Sequence, residues 1–176
     1  MHRIRKILFF ILIGMTAIVM ASFIVPERIQ IPVGGATPAD WNKDSFWYEP
    51  WGVSGVHKGI DIFGKKGTPV LSAVDGIVLY TGRIPVGGNV VIVLGPKWRF
   101  HYYAHLETIG VSALTPVKSG RPLGTLGDSG NAKGKPPHLH YAIVRLFPAF
   151  RAAVGSTQGW KKAFFIDPNA YLTGKM

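Results

Sequence analysis

Residues 56–146 alternate short runs of Val, Ile, Leu and Tyr with Gly, Pro, Asp and Asn. Because no stretch of useful length there has the 3.6-residue period of an amphipathic helix, the pattern predicts strands. The predicted strands are Pro69–Val74, Ile77–Thr81, Asn89–Leu94, Trp98–His105, Pro122–Leu126 and His138–Leu146. Asp75 and Gly76, between the first two runs, indicate a hairpin. We therefore expect a mainly β fold, an antiparallel sheet or sandwich.

The first 25 residues have a different character. Arg3, Arg5 and Lys6 precede an uncharged run of 19 residues, Ile7–Val25, and a helix of that length spans about 28 Å, close to the hydrocarbon thickness of a bilayer. We expect residues 1–25 to form one transmembrane helix of the cytoplasmic membrane. The basic flank predicts a cytoplasmic amino end and an extracytoplasmic body, in the periplasm. A cleavable signal peptide is the alternative.

The rest of the chain divides into two parts. Residues 26–41 contain prolines and glycines that interrupt regular structure, so we expect a linker there and a β domain over residues 42–174. Asp167 before Pro168 predicts a capped helical turn near the end of that domain. An aromatic cluster at its start closes one side of the core or lines a groove. The cluster consists of Trp41, Phe46, Trp47, Tyr48 and Trp51.

Amino-acid composition restricts the kinds of binding partner and of metal site that the chain can have. The net charge is +11, from 20 Lys and Arg against 9 Asp and Glu, which favours an anionic partner such as acidic lipid or an acidic wall polymer. The basic residues are scattered and no nucleic-acid motif is present, so we do not expect nucleic acid binding. The chain has no cysteine, which excludes disulfides and thiolate zinc sites. Nothing in the sequence predicts an oligomeric state.

Two histidines, His138 and His140, flank Leu139 in a predicted strand. Since side chains alternate between the faces of a strand, both imidazoles point into the same space. Such a pair can divide its work, one imidazole binding a metal ion and the other transferring protons. The residues alone do not decide which histidine does which, and a surface strand that happens to carry two histidines is the alternative.

A second constellation, His57 and Asp61, places an imidazole and a carboxylate four residues apart, on the same face of an extended chain. With His138 or His140 as a third ligand, the set is typical of catalytic zinc sites that keep one position open for water. Zinc in such a site lowers the pKa of its water and polarises a carbonyl group.

A third group, His101, Tyr103 and His105, would share one face of a strand. If that face looks toward the metal, a histidine that does not bind the ion can orient the water or stabilise an oxyanion. For His101 we favour the simpler interpretation, a buried strand residue with satisfied hydrogen bonds.

Taken together, these stretches resemble the lysostaphin-type (LytM-like) zinc endopeptidases, metallopeptidase family twenty-three, which cut peptide cross-links of bacterial peptidoglycan. The similarity covers residues 50–145, and its order and spacing make it specific. The matching segments are His57–Ile62, Gly67–Val70 with Ala73 and Gly76, Gly88–Ile92, Tyr103–Leu106, Gly127–Gly130 and His138–Tyr141. The resemblance implies a lysostaphin-like β domain with a metal-containing groove.

The resemblance also implies roles for individual residues. His57, Asp61 and His140 would bind one Zn²⁺ ion, and His105 and His138 would be the catalytic histidines. The family commonly has an acidic residue at the position of Ala142, and the loop Asn131–Pro137 is longer and more basic here. These departures concern substrate choice more than catalysis. In relatives a tyrosine upstream of the first ligand often helps to hold the oxyanion, and Tyr48 or Trp51 stands in that region.

We therefore predict a membrane-tethered zinc endopeptidase that acts on peptide stems of peptidoglycan. One alternative is a catalytically silent wall-binding module that activates another peptidoglycan hydrolase, as degenerate members of the family do. Those members lack one or more ligands, whereas all three candidates are present here. Another alternative is a structural anchor that binds acidic polymer through charge alone.

Overall fold

The computed structural model describes residues 2–153 and 155–175. Met1, in the predicted membrane segment, and Val154, in the predicted β domain, lie outside the described residues, as does Met176.

The described residues form two α-helices, several short 3₁₀ turns and nine strands. The helices are α1 (His2–Ile24) and α2 (Pro168–Leu172). The strands are β1 (Ile60–Phe63), β2 (Pro69–Leu71), β3 (Gly76–Ile84), β4 (Gly88–Gly95), β5 (Arg99–Ile109), β6 (Pro116–Val117), β7 (Pro122–Leu126), β8 (His138–Arg145) and β9 (Phe165–Ile166). All pairs are antiparallel, in the order β1-β8-β5-β4-β3-β6, while β7 joins β2 to β5 and β9 pairs with β8. The prediction of a mainly antiparallel β fold is confirmed.

The hairpin predicted at Asp75 and Gly76 is wrong. Strand β2 pairs with β7 on one side and bridges Val33 through Val70 on the other, so neither of its edges is free for β3. Strand β3 pairs instead with β4 and β6. The carboxylate of Asp75 accepts the backbone N–H of Ser119 at 2.8 Å, which ties the bend to the turn before β7.

The core lies under the face of the sheet that carries Leu139 and Tyr141, both fully buried. The segment 26–41 packs along this body: Gln30 donates to the carbonyl of Ala73, Gly34 donates to Pro69, and Val33 is buried. Trp41 closes the core, and its indole N–H donates to the side chain of Asn169 at 3.0 Å.

At the two ends of the chain lie the helices. Helix α1 is long and apolar enough to cross a membrane by length and composition. Helix α2 begins where predicted, with the Asp167 carboxylate accepting the backbone N–H of Asn169 at 2.9 Å.

Strand β5 changes its neighbour at His105. From Arg99 to Ala104 it pairs with β8, and from Leu106 onward it pairs with β7. At the junction, two residues of β5, Ala104 and His105, stand opposite the single residue Val90 of β4, and His105 has a φ of 66°. This is a β-bulge, which turns a side chain to the other face of the sheet.

Because of this bulge, the expectation that His101, Tyr103 and His105 share one face of the strand is wrong. His101 and Tyr103 face the core and are fully buried, whereas His105 turns to the opposite face, so the three do not share a face. Strict alternation holds only in an unbroken strand. The Nδ1 of His101 lies 2.7 Å from the hydroxyl of Tyr141, as expected for a structural histidine, although its Nε2 has no partner.

Candidate metal centre

Strand β8 carries two candidate residues at the middle of the sheet. In its register with β1, His140 lies opposite Asp61, and in its register with β5 it lies opposite Ala104. His138 is opposite Phe63 on β1. Because His138 and His140 are two residues apart on one strand, both point away from the core, toward a groove above the sheet.

Three donor atoms converge there. The Nε2 atom of His57 lies 3.1 Å from Oδ1 of Asp61 and 3.1 Å from Nδ1 of His140, and the remaining pair, Asp61 Oδ1 and His140 Nδ1, is 2.9 Å apart. Ligands of a tetrahedral zinc ion, at 2.0–2.2 Å from the metal, are about 3.3–3.5 Å from one another. The observed triangle is close to that size.

The chemistry of this donor set fits a cation. The Nδ1 of His57 lies 3.1 Å from the carbonyl of Ser45, which only accepts hydrogen bonds, so Nδ1 carries the proton and Nε2 presents its lone pair to the triangle. One proton can bridge a single edge of the triangle, whereas a metal ion at its centre satisfies all three atoms. His57, Asp61 and His140 thus form a group that can hold a metal ion.

The first ligand is held by the aromatic segment before β1. The backbone of His57 pairs with this segment, its N–H donating to Tyr48 at 3.0 Å and its carbonyl accepting from Trp47 at 2.7 Å. The indole of Trp51 stacks on the imidazole, with ring centroids 4.0 Å apart and 21° between the planes. These contacts fix the ring before any metal binds.

Two further imidazoles stand beside the triangle with matching orientations. The Nδ1 of His105 lies 2.9 Å from the carbonyl of Ser129, and the Nδ1 of His138 lies 2.8 Å from the carbonyl of Pro136. Each Nδ1 therefore donates, and each Nε2 is left as a proton acceptor. The rings of His105 and His138 meet edge to face, with centroids 5.0 Å apart, so the two proton-accepting imidazoles lie next to each other.

The site favours neutral imidazoles and an ionised carboxyl. Burial lowers the pKa of His105 to about 4, helped by the like charges that His140 and His138 would carry. Burial also lowers the pKa of His140, against the opposing pull of Asp61. Burial alone raises the pKa of Asp61, but the contacts with the His140 and His57 imidazoles outweigh it and hold that pKa well below its usual range. Near neutral pH, these protonation states suit metal ligation.

The carbonyl that orients His105 is itself anchored. The Ser129 hydroxyl donates to the carbonyl of Leu106 at 2.7 Å and accepts the N–H of Asn89 at 2.9 Å. Gly88, with a φ of 65°, lies so close to Ser129 that a Cβ there would collide with it. The Gly127–Gly130 segment noted in the sequence therefore positions His105.

A groove of about 820 Å³ contains the site, a volume within the range of ligand-binding clefts. Its floor beside the metal site is apolar and comes from the groove-facing residues of β5 and β8. These are Phe100, Tyr102, Ala142 and Val144. Ala142 thus gives the groove an apolar contact, and Lys135 of the loop Asn131–Pro137 lies on its wall.

Sequence reasoning missed Tyr102, because it assigned the odd-numbered residues of β5 to the site. Tyr102 lies on the groove side, with its ring 6.2 Å from that of His140. The signal was available in the pairing of β5 with β8, which puts residue 102 on the face of residue 140. Of the upstream aromatics, Trp51 lines the groove, and Tyr48 lines a smaller cavity that also touches Trp51 and Asp61. Trp41 and Trp47 are buried.

Similarity to known proteins agrees with this geometry. The model of peptidase family M23 matches residues 55–151, which is more than half of the chain and contains all five histidine and aspartate candidates. The chain therefore belongs to peptidase family M23.

Three proteins similar to this chain are two peptidases and one activator. The L-Ala–D-Glu endopeptidase of Bacillus subtilis is 34% identical over 115 residues, covering 60% of this chain and 35% of that protein. The murein hydrolase activator NlpD of Escherichia coli is 34% identical over 105 residues, covering 58% of this chain and 27% of that protein. The catalytic domain of the antimicrobial peptidase lysostaphin from Staphylococcus simulans superimposes with a TM-score of 0.56 and 28% identity, covering 70% of this chain and 85% of that domain.

The chain spans about a third or less of the length of the curated relatives it matches. The similarity is thus to only a part of each of these proteins. Both peptidases and an activator of murein hydrolases are among these relatives.

Proposed function

We propose that this protein is a zinc-dependent endopeptidase that hydrolyses peptide cross-links of bacterial peptidoglycan. The observation that carries the proposal is the convergence of His57 Nε2, Asp61 Oδ1 and His140 Nδ1 beside two imidazoles with free Nε2 atoms. A purely structural or wall-binding module has no need for that arrangement.

In this proposal, His57, Asp61 and His140 hold one zinc ion. When bound, zinc supplies a Lewis acid that makes water more acidic and polarises the scissile carbonyl.

His105 and His138 carry the proton chemistry. Their Nε2 atoms accept a proton from the attacking water and return one to the leaving amine. Once protonated, either imidazole also donates a hydrogen bond to the developing oxyanion. Their Nδ1–H bonds to backbone carbonyls keep both rings in the tautomer that this work requires.

Substrate and location follow from the relatives and from the N-terminal segment. The endopeptidase of Bacillus subtilis is similar to this chain in sequence and lysostaphin is a peptidase of the same fold, which supports peptide stems as substrate. We propose that residues 1–25 anchor the protein in the cytoplasmic membrane, that residues 26–41 connect the anchor, and that residues 42–174 form the peptidase domain on the extracytoplasmic side. The net charge of +11 favours contact with an acidic wall polymer.

The test uses the full chain in detergent micelles, incubated with insoluble peptidoglycan. Mass spectrometry of the released fragments identifies the cut bond. We expect release to stop with a zinc chelator, to return when zinc is restored, and to be absent from Asp61→Ala. Fragment release that persists in the chelator and in Asp61→Ala would refute zinc-dependent hydrolysis.

A second candidate function is activation of another peptidoglycan hydrolase, favoured by the 34% identity to NlpD. An activator stimulates a partner hydrolase without releasing fragments alone, and its effect does not depend on His138. Adding this protein, as wild type and as His138→Ala, to separately purified murein hydrolases distinguishes the two functions.

A further inference from the structure

The end of helix α1 is docked on the peptidase body. The indole N–H of Trp98 donates to the carbonyl of Val19 at 3.0 Å, and the N–H of Lys97 donates to the hydroxyl of Ser22 at 2.9 Å. Lys97 and Trp98 belong to the turn between β4 and β5. The body therefore touches the helix about one and a half turns before its end at Ile24.

A buried carboxylate, that of Glu27, locks this arrangement just past the helix. It accepts from Arg99 through both oxygens, at 3.1 and 2.9 Å, and from Lys97 at 3.0 Å. The hydroxyl of Tyr171 adds a contact at 3.3 Å. With its side chain only 5% exposed, Glu27 is held between the sheet and helix α2, so the body has a fixed orientation relative to α1.

Beside the helix lies an exposed aromatic surface. Phe147 packs against Phe23 of α1, with ring centroids 5.8 Å apart, and the surface continues through Phe150 to Trp160, 73% and 66% exposed. The N–H of Ala149 donates to the carbonyl of Ala163 at 2.9 Å, which holds the segments of Phe150 and Trp160 together.

This surface is also basic. Residues 145–166 contain four basic residues and no acidic residue. Of these, Arg151 is exposed and Lys161 is half-buried, whereas Arg145 donates to the carbonyl of Phe165. The ammonium group of Lys161 lies 5.7 Å from the ring centroid of Trp160. We call the surface formed by Leu146, Phe147, Phe150, Arg151, Trp160 and Lys161 the docking face.

We propose that the docking face lies in the headgroup layer of the anionic membrane that holds α1. Exposed aromatic rings settle at the interface between hydrocarbon and water, and basic side chains beside them attract anionic lipid. The face is continuous with α1 through Phe147 and Phe23, so the two enter the same membrane. The membrane contact rests on the proposed placement of α1 and is independent of the proposed peptidase activity, whereas the location of cleavage rests on both.

The docking face would also set where cleavage takes place. Arg99 pairs with Arg145 at the membrane end of the sheet, and Ala104 pairs with His140 at the metal centre. Along β5, Arg99 and Ala104 are five residues apart, a distance of about 17 Å. The peptide bonds cut by a docked enzyme would therefore lie close to the membrane surface, and the fixed clamp at Glu27 would keep the groove from reaching deep into the wall.

Because the chain has no cysteine, single nitroxide labels test this directly. Phe150→Cys, Trp160→Cys and, as control, Val86→Cys are labelled in the full chain and reconstituted in nanodiscs containing phosphatidylglycerol. Val86 is an exposed apolar residue on the β3–β4 turn, 53% exposed, at the other end of β4 from Gly95. Paramagnetic relaxation measures how accessible each label is to oxygen and to a water-soluble nickel complex.

We expect the labels at 150 and 160 to show a several-fold higher ratio of oxygen to nickel accessibility than the label at 86. If all three are equally exposed to water, the docking face does not touch the membrane and the proposal is overturned. Mass spectrometry of the reconstituted protein and thermal unfolding of each variant establish that α1 is intact and that the fold is kept, so a negative result cannot come from cleavage or misfolding.

The anionic part of the proposal has its own test. The ratio of oxygen to nickel accessibility of the label at position 150 should fall toward that of the label at position 86 in nanodiscs of phosphatidylcholine alone. The same fall is expected in nanodiscs with phosphatidylglycerol when Arg151→Gln and Lys161→Gln are combined. Lys43→Gln with Lys65→Gln, at two exposed lysines outside the face, is the matched control and should change nothing. Equal ratios in both lipids would overturn recognition of anionic lipid. Peptidoglycan hydrolysis is measured separately, and its absence would refute the proposed function without affecting this result.

Discussion

Asp61 and His140 lie opposite each other on adjacent strands, with Oδ1 of the carboxylate 2.9 Å from Nδ1 of the imidazole. The register of β1 against β8 thus brings together two donor atoms that are 79 residues apart in the chain. His138, two residues earlier on the same strand, lies outside the triangle, with its Nδ1 on the carbonyl of Pro136. Neighbouring histidines on one face consequently have different partners.

This difference predicts opposite effects of two substitutions. His140→Ala should abolish both zinc binding and peptidoglycan cleavage, because it removes one corner of the triangle. His138→Ala should keep stoichiometric zinc and lower kcat by about 10²–10⁴-fold, the usual contribution of a general acid–base group. Atomic absorption of the purified variants and fragment release measure the two properties. If His138→Ala loses the metal and His140→Ala keeps it, the roles are reversed.

Gly59 should be required for the site, although it bears no side chain. A Cβ at this position would lie 3.0 Å from Cε1 of His140 and collide with the carbonyl of Tyr141. We expect Gly59→Ala to lower the free energy of unfolding by about 1–3 kcal/mol, as overpacking does, and to weaken zinc binding. Gly110→Ala is the control, since the nearest atom to its Cβ is at 3.6 Å. Urea unfolding measures the free energy of unfolding, and zinc titration measures the affinity for zinc. Equal values for Gly59→Ala and Gly110→Ala would contradict this prediction.

Ser129 should affect catalysis through His105. Ser129→Ala removes the two hydrogen bonds that hold the segment whose carbonyl orients the His105 ring, a loss of roughly 1 kcal/mol for each bond. We expect kcat to fall while zinc content and KM stay close to wild type. Ser112→Ala, at an exposed serine, is the control. A fall in zinc content instead of kcat would show that Ser129 supports the metal triangle and not the base.

His101 should make stability depend on pH. Burial, with a smaller contribution from the charge of Arg99, lowers the pKa of His101 to about 3, against about 6.5 in the unfolded chain. Between these two values the unfolded state binds the extra proton, so stability is complete above about pH 6.5 and falls as the pH drops. The slope is about 1.4 kcal/mol per pH unit.

Comparison with His101→Phe isolates this contribution from that of the other histidines. Denaturant unfolding at pH 7.5, 6.0 and 4.5 should show the free energy of unfolding of the wild type declining relative to that of the variant as the pH falls. The loss of the His101 partner of the Tyr141 hydroxyl changes the variant's absolute stability but not this difference in slope. Parallel curves for the two proteins would contradict the pKa assigned to His101.

Much of the fold was readable from local pattern. The runs that became β4, β7 and β8 were predicted to within about a residue, because alternating apolar residues and turn residues are local signals. The prediction of a hairpin at Asp75 was wrong for a nonlocal reason, because Val70 already has backbone partners on both sides, in β7 and at Val33. No residue near Asp75 reveals that competition.

The sequence by itself determined that the chain is built of strands, that it begins with an apolar segment of membrane length, and which residue types gather in the His57, His105 and His138 motifs. Tertiary structure alone decided how those motifs meet. The bulge at His105 turns its ring to the groove while His101, four residues earlier, stays in the core. The reason is physical: alternation along a strand is a property of the local backbone, whereas the positive φ at His105 exists because β5 exchanges β8 for β7 at that residue.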